Sequence, residues 1–176
     1  LDKKVKLTSK IEFEPYGEID LNEKISLALQ NRFEIIQAKE QYEVNKLNFD
    51  ITATVYTPNV RTYKKAEYEK EKSYTNLIDI EQDIKLSVYK SYNDLKKAER
   101  TVLTMEKNIK TLKETYRLSK LTYEAGIVTQ TEVLNAQIAL EETELAYNQA
   151  LLAYSIAKLN FEASYGIGLA ASTAGF

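Results

Sequence analysis

Few residues in this chain have the types and spacing that chemistry requires. The adjacent carboxylates Glu141 and Glu142 could be read as an acid and a base, but neighbours on a helix diverge by about 100° and do not converge on one substrate. The chain contains no His and no Cys, which excludes imidazole-based triads, thiolate metal sites and disulfides. It shows no phosphate-cradling glycine loop and no metal-ligand cluster. The sequence therefore calls for no enzyme active site, no cofactor and no metal. Glu132 is the most pointed carboxylate: it stands three residues after Thr129, where it can close a capping box.

Other polar groups have plainer readings. There are 13 Tyr residues, which could stack on a ligand, but Tyr116, Tyr123, Tyr147 and Tyr154 fall on helical seams and read as packing. Lys64-Lys65 and the mixed run Glu67 to Lys72 could form a binding patch. Alternating signs on one helix read instead as a solvated, ion-paired face. A formal charge of −2 and a pI near 5.5 give no electrostatic drive toward nucleic acid, so none is expected as a partner. The absence of Cys suits either redox compartment.

The elements that position these residues are long helices. Only 2 Pro and 5 Gly are available to interrupt them. No apolar run reaches the roughly 18 residues of a membrane-spanning helix. Alternation of Val5, Leu7, Ile11 and Phe13 predicts a short strand or extended linker over residues 1–20, closed by Pro15. Asp20 followed by Glu23 predicts a capped helix over about 21–48, with a break at Asn31-Arg32. The β-branched stretch Ile51 to Thr57 before Pro58 predicts extended chain or a turn.

Over about 64–125, Ile84, Val88, Ser91, Leu95, Ala98, Val102, Met105, Ile109, Leu112, Tyr116, Ser119 and Tyr123 keep a four-three rhythm. This is a sustained heptad seam, with Leu77 and Tyr74 continuing its phase backwards. A helix of about 60 residues would be roughly 90 Å long. Ala125-Gly126 stops it, and Thr129 with Glu132 restarts a helix over about 129–165, so an antiparallel hairpin is expected. The return helix repeats the rhythm at Ala136, Leu140, Thr143, Tyr147, Ala150, Tyr154, Ala157, Phe161 and Ser164. It also carries a second row, Ile138, Leu145, Leu152 and Leu159, on another face. One partner helix cannot cover both rows, which argues for a bundle or closed helical barrel. Residues 169–176 read as a flexible tail.

The run Ile19-Asp-Leu-Asn-Glu-Lys-Ile-Ser-Leu-Ala-Leu-Gln-Asn-Arg32, with Tyr123-Glu-Ala-Gly-Ile-Val-Thr-Gln-Thr-Glu-Val-Leu-Asn-Ala-Gln137, resembles the repeat of the TolC-like outer membrane efflux proteins. The likeness extends over most of residues 17–168. It implies an all-α fold, a long antiparallel coiled-coil hairpin forming one repeat of an α-barrel. In that family two repeats make a protomer, and three protomers close a twelve-helix tunnel. By that resemblance Gly126, Ile127, Val128 and Thr129 would form the tip that meets a periplasmic adaptor protein, and Glu132 and Asn135 would line the constriction. The second of these positions is not acidic here. Phe33 stands where the family commonly has Pro.

Only about a dozen residues separate Phe49 from Lys64, where the family inserts a membrane β-hairpin whose strands need about 9–11 residues each. The resemblance thus implies a relative without the membrane barrel, or a chain from which the hairpin has been removed. A start at Leu1 rather than Met leads us to expect processing or shortening of a longer product. The implied function is a passive exit duct of an efflux or secretion system in the cell envelope. It would form a homo-oligomer, open by adaptor contact at the tip, and draw energy from an inner-membrane transporter. Helix 1 and the return helix would lie roughly end to end beside the central helix. The alternative is a structural coiled-coil spacer or dimerisation module.

Overall fold

The computed structural model describes residues 13–166. Helices take up 87% of them and no strand occurs among them, so the chain is all-α. The order is α1 (Leu21–Asn31), α2 (Phe33–Val55), α3 (Arg61–Glu124) and α4 (Gln130–Tyr165). The strand or linker expected before residue 13 and the tail after residue 166 lie outside the described residues.

Each boundary has a local cause. Asp20 caps α1, its carboxylate accepting from the backbone N–H groups of Asn22 at 3.0 Å and Glu23 at 3.3 Å. Glu23 turns to Lys24, 3.9 Å away. Arg32 alone separates α1 from α2, with an extended backbone at φ −71° and ψ 133°. No proline is needed for this break. The Arg32 guanidinium bridges Glu34 at 3.0 Å and Ser87 at 3.5 Å, and Lys39 donates to the carbonyl of Leu29.

The extended segment expected over Ile51 to Thr57 is corrected: α2 stays helical to Val55. The steric restriction before Pro58 reaches only Thr57, and β-branched residues lose little in a helix. Thr52 and Thr54 also return their hydroxyls to the carbonyls of Asn48 and Ile51, each at 2.7 Å.

Contacts divide the chain into two compact units: the described parts of Leu1–Glu18 with Asp94–Lys158, and of Ile19–Asn93 with Leu159–Phe176. In the second unit α2 and α3 run antiparallel, as Phe49 faces Tyr63 at 5.3 Å, Tyr42 faces Tyr74 at 5.3 Å, and Arg32 reaches Ser87. Its core is Ile25, Ala28, Ile35, Ala38, Ala66, Leu77, Ile84, Val88 and Phe161, with Ser73 and Ser164 buried beside them. Ser73, not Tyr74, takes the buried position one turn before Leu77, and Tyr74 is half exposed. Lys70 lies 4.0 Å from the Phe49 ring centroid. No ion pair falls within residues 67–72 among the described residues, so the expected ion-paired face there is replaced by a cation–π contact. Within the same unit Lys24 sits 5.0 Å from the Tyr165 ring, which brings the start of α1 to the end of α4.

In the first unit Leu95, Val102, Ala150, Leu151 and Tyr154 are buried. Residues 13–16 belong to this packing. Phe13 meets the Tyr154 ring edge-on at 5.2 Å, the Tyr154 hydroxyl donates to the Glu14 carbonyl at 2.8 Å, and Lys158 lies 5.6 Å from the Tyr16 ring. Burial, with the carboxylate of Glu99 nearby, pushes the Tyr154 phenol above its ordinary value.

Candidate functional site

The reversal between α3 and α4 is fixed by two reciprocal hydrogen-bond motifs. Gly126 has φ 73°, a left-handed conformation that glycine adopts without a Cβ clash. Its N–H donates to the Tyr123 carbonyl at 2.9 Å, and the Ile127 N–H donates to the Thr122 carbonyl at 2.9 Å. Those two bonds are a Schellman closure. Three residues later the Thr129 N–H donates to the Glu132 carboxylate at 2.9 Å, while the Glu132 N–H donates to the Thr129 hydroxyl at 3.4 Å. The capping box read from the sequence is therefore present in both directions.

Between these motifs the chain exposes Gly126, Ile127 and Thr129, and half-buries Val128. Ile127 is 74% exposed, an apolar side chain at the apex that the hairpin itself does not cover. Glu132 and Asn135 are both exposed and, three residues apart, share one face of α4. The Glu132 side chain already serves as a helix cap, yet its exposure leaves the second carboxylate oxygen open to water.

Behind the tip the two helices are held by surface pairs. Lys113 meets Glu144 across the hairpin at 3.2 Å, Lys110 meets Glu106 at 2.9 Å, and Arg117 grips Glu114 at 2.7 Å. That grip holds the Glu114 carboxyl below, and the Arg117 guanidinium above, their ordinary values. A shallow cleft of about 370 Å³ lies between α3 and α4, lined by Ile109 and Tyr147 and by the Lys113–Glu144 pair. Its charges neutralise one another, so it offers no uncompensated group to an ionic ligand. Among the described residues no group of His, Cys, Asp or Glu could hold a metal ion. No helix among them is long and apolar enough to cross a membrane.

Burial along the hairpin is uneven. Seam residues Ile84, Val88, Leu95 and Val102 are buried, whereas Met105, Ile109, Leu112, Tyr116 and Ser119 are half-buried and Tyr123 is exposed. From residue 103 to residue 149 not one residue is fully buried. The second row read on α4 is open along its whole length: Ile138, Leu145, Leu152 and Leu159 are all exposed. Leu151, buried between the two rows, belongs to neither heptad pattern and was missed because a position flanking a seam carries no periodic signal of its own.

The chain matches the family described as Outer membrane efflux protein over residues 48–166. The Ile19 to Arg32 run, which carried part of the sequence resemblance, lies before that span. No curated protein matches the chain. The family match covers about two thirds of the sequence, with all of α3 and α4 inside it, and the chain therefore belongs to the outer membrane efflux protein family.

Proposed function

We propose that this chain is a wall element of a helical exit duct, packing beside further helical hairpins to enclose a passive conduit. The observation that carries the reading is the open apolar row Ile138, Leu145, Leu152 and Leu159 on the helix whose seam face is already buried or half-buried. Covering such side chains gains on the order of 1 kcal/mol each at about 25 cal/mol per Å², and nothing among the described residues supplies the cover. A two-helix spacer would leave this row in water.

In this reading Gly126, Ile127, Val128 and Thr129 contact the hairpin of a periplasmic adaptor, with Ile127 as the apolar anchor. Glu132 and Asn135 line the narrow end of the conduit. An inner-membrane transporter supplies the energy, as members of the family work with such partners and form trimers. The cell envelope is the corresponding location.

Because the chain has no Cys, a single Ile127→Cys substitution gives one unique thiol. With the cognate adaptor present, a cross-linker at Cys placed there is expected to capture the adaptor, while a thiol placed at Lys97, far along α3, captures nothing. Capture from Lys97 alone would reject the tip assignment. A solution mass equal to a monomer or simple dimer at all concentrations, with adaptor and companion repeats supplied, would reject the conduit in favour of a spacer.

A further inference from the structure

The turn between α2 and α3 has features that the conduit reading does not use. Val55 and Tyr56 end α2, Val60 precedes α3, and all three are exposed, as is Ile51 one turn earlier. Directly behind this apex stand Arg61, Lys64 and Lys65, also exposed. Residues 51–66 contain these three cations and no carboxylate, in a chain whose net charge is −2. None of the three takes part in an ion pair among the described residues.

Several polar groups just behind the apex are bonded from within. The hydroxyls of Thr52 and Thr54 donate to carbonyls one turn back, the Tyr56 N–H donates to the Thr52 carbonyl at 2.9 Å, and the Val60 N–H donates to the Thr57 carbonyl at 3.1 Å. Pro58 has no N–H to satisfy. Those bonds lower the cost of removing water from this part of the turn. Aliphatic and tyrosine side chains at an apex, with unpaired Lys and Arg one turn behind, form the arrangement that seats at a lipid–water boundary. There the apolar groups enter the headgroup layer and the cations meet lipid phosphates.

We propose that the α2–α3 turn docks peripherally on an anionic lipid surface, with Val55, Tyr56 and Val60 inserted and Arg61, Lys64 and Lys65 on the headgroups. Charge complementarity selects the occupant: Arg61, Lys64 and Lys65 outnumber Asp50, the exposed carboxylate that stands at the level of Tyr63, so this end of the hairpin is net positive. The proposal stands on this turn alone and does not depend on the conduit or on the tip at Gly126.

The test uses the full chain and vesicles of phosphatidylcholine with or without phosphatidylglycerol. Tyr56→Trp places a single Trp in a chain that has none. Its emission is expected to shift to the blue with phosphatidylglycerol vesicles and to stay unchanged with phosphatidylcholine alone. Cosedimentation of the unaltered chain should follow the same selectivity and weaken with salt. Lys64→Gln with Lys65→Gln is expected to lower partitioning roughly 25-fold, about fivefold per charge. Val55→Asp with Val60→Asp should abolish the blue shift at low salt, with far-UV circular dichroism unchanged. Failure of the unaltered chain to sediment with anionic vesicles would overturn the proposal. So would binding that survives the Val55 and Val60 substitutions, which would mark simple charge attraction, or binding indifferent to the two lysines.

Discussion

Leu95 and Leu145 are both leucines of the same compact unit, one buried completely and the other 60% exposed. Truncating each to Ala therefore separates the core of the unit from the open row on which the conduit reading rests. For Leu95→Ala the lost transfer free energy and the residual cavity together cost about 3–4 kcal/mol, within the span measured for buried leucines. That is a large part of the 5–15 kcal/mol typical of a domain's stability. For Leu145→Ala, less than half of the side chain leaves a protein environment and Ala is the better helix former, so the cost is about 0–1 kcal/mol. Urea unfolding followed by circular dichroism at 222 nm reads both values. Dilute protein gives the isolated-chain result. Under assembling conditions the Leu145→Ala penalty is expected to rise with protein concentration, because a neighbour that binds only the folded state stabilises it by mass action. The Leu95→Ala penalty should not. Equal penalties for the two substitutions in dilute monomer would mean that the chain covers its own second row, and the reasoning that demands neighbours would fail.

At the tip, Thr129→Ala removes the cap hydroxyl and is expected to cost about 1 kcal/mol of stability. Glu132→Gln preserves an acceptor for the Thr129 N–H and should cost less; altered ion selectivity of the assembled conduit in bilayer recordings, without that loss of stability, would identify Glu132 as a pore charge. Gly126→Ala forces a Cβ into φ 73° and is expected to destabilise by about 1–2 kcal/mol, read by thermal unfolding. The Arg32 hydrogen bond, first among its causes, holds the Glu34 carboxyl below its ordinary 4.5. The unfolded state then binds the proton more readily. Stability contributed by this pair is present above pH 4.5 and lost as pH falls through the depressed value, and Glu34→Gln should flatten that part of an acid titration. Hydrogen exchange should be faster for amides of residues 103–149 than for those of residues 84–102, and equal protection would contradict the burial pattern.

The seams were legible because they are periodic. Positions from Ile84 to Ser119 repeat at heptad spacing, and every one is buried or half-buried. Caps were legible where one side chain decides them, as at Asp20, Thr129 and Gly126. The continuation of α2 through Ile51–Val55 was not, because the β-branched signal is worth only tenths of a kcal/mol per residue and the hydroxyls of Thr52 and Thr54 have helical partners. The exchange of Tyr74 for Ser73 was equally hidden. Tyr42 offers Tyr74 a ring contact at the flank, and no local pattern reveals a partner thirty-odd residues away. The contact of Phe13 and Glu14 with Tyr154 is long-range in the same way, and no local pattern shows that the segment before α1 touches α4. Glu132 and Asn135 were marked as a constriction by the family resemblance and by no local pattern, and both are exposed on α4.

The burial gradient along α3 and α4 links architecture to the way a duct of this kind would open. A residue on the seam between just two helices touches one neighbour and keeps one side toward water, so full burial requires a third element. Full burial occurs on α3 only up to Val102 and on α4 only from Ala150 onward. Over the span between, the described residues offer a pair of helices, a few surface ion pairs that contribute little, and a turn closed by a Schellman pair and a capping box. Such a segment is expected to open more readily than the buried stretches on either side of it. An adaptor that touches Ile127 would therefore act at the end where the chain resists displacement least, and could shift the helices there without disturbing the buried core.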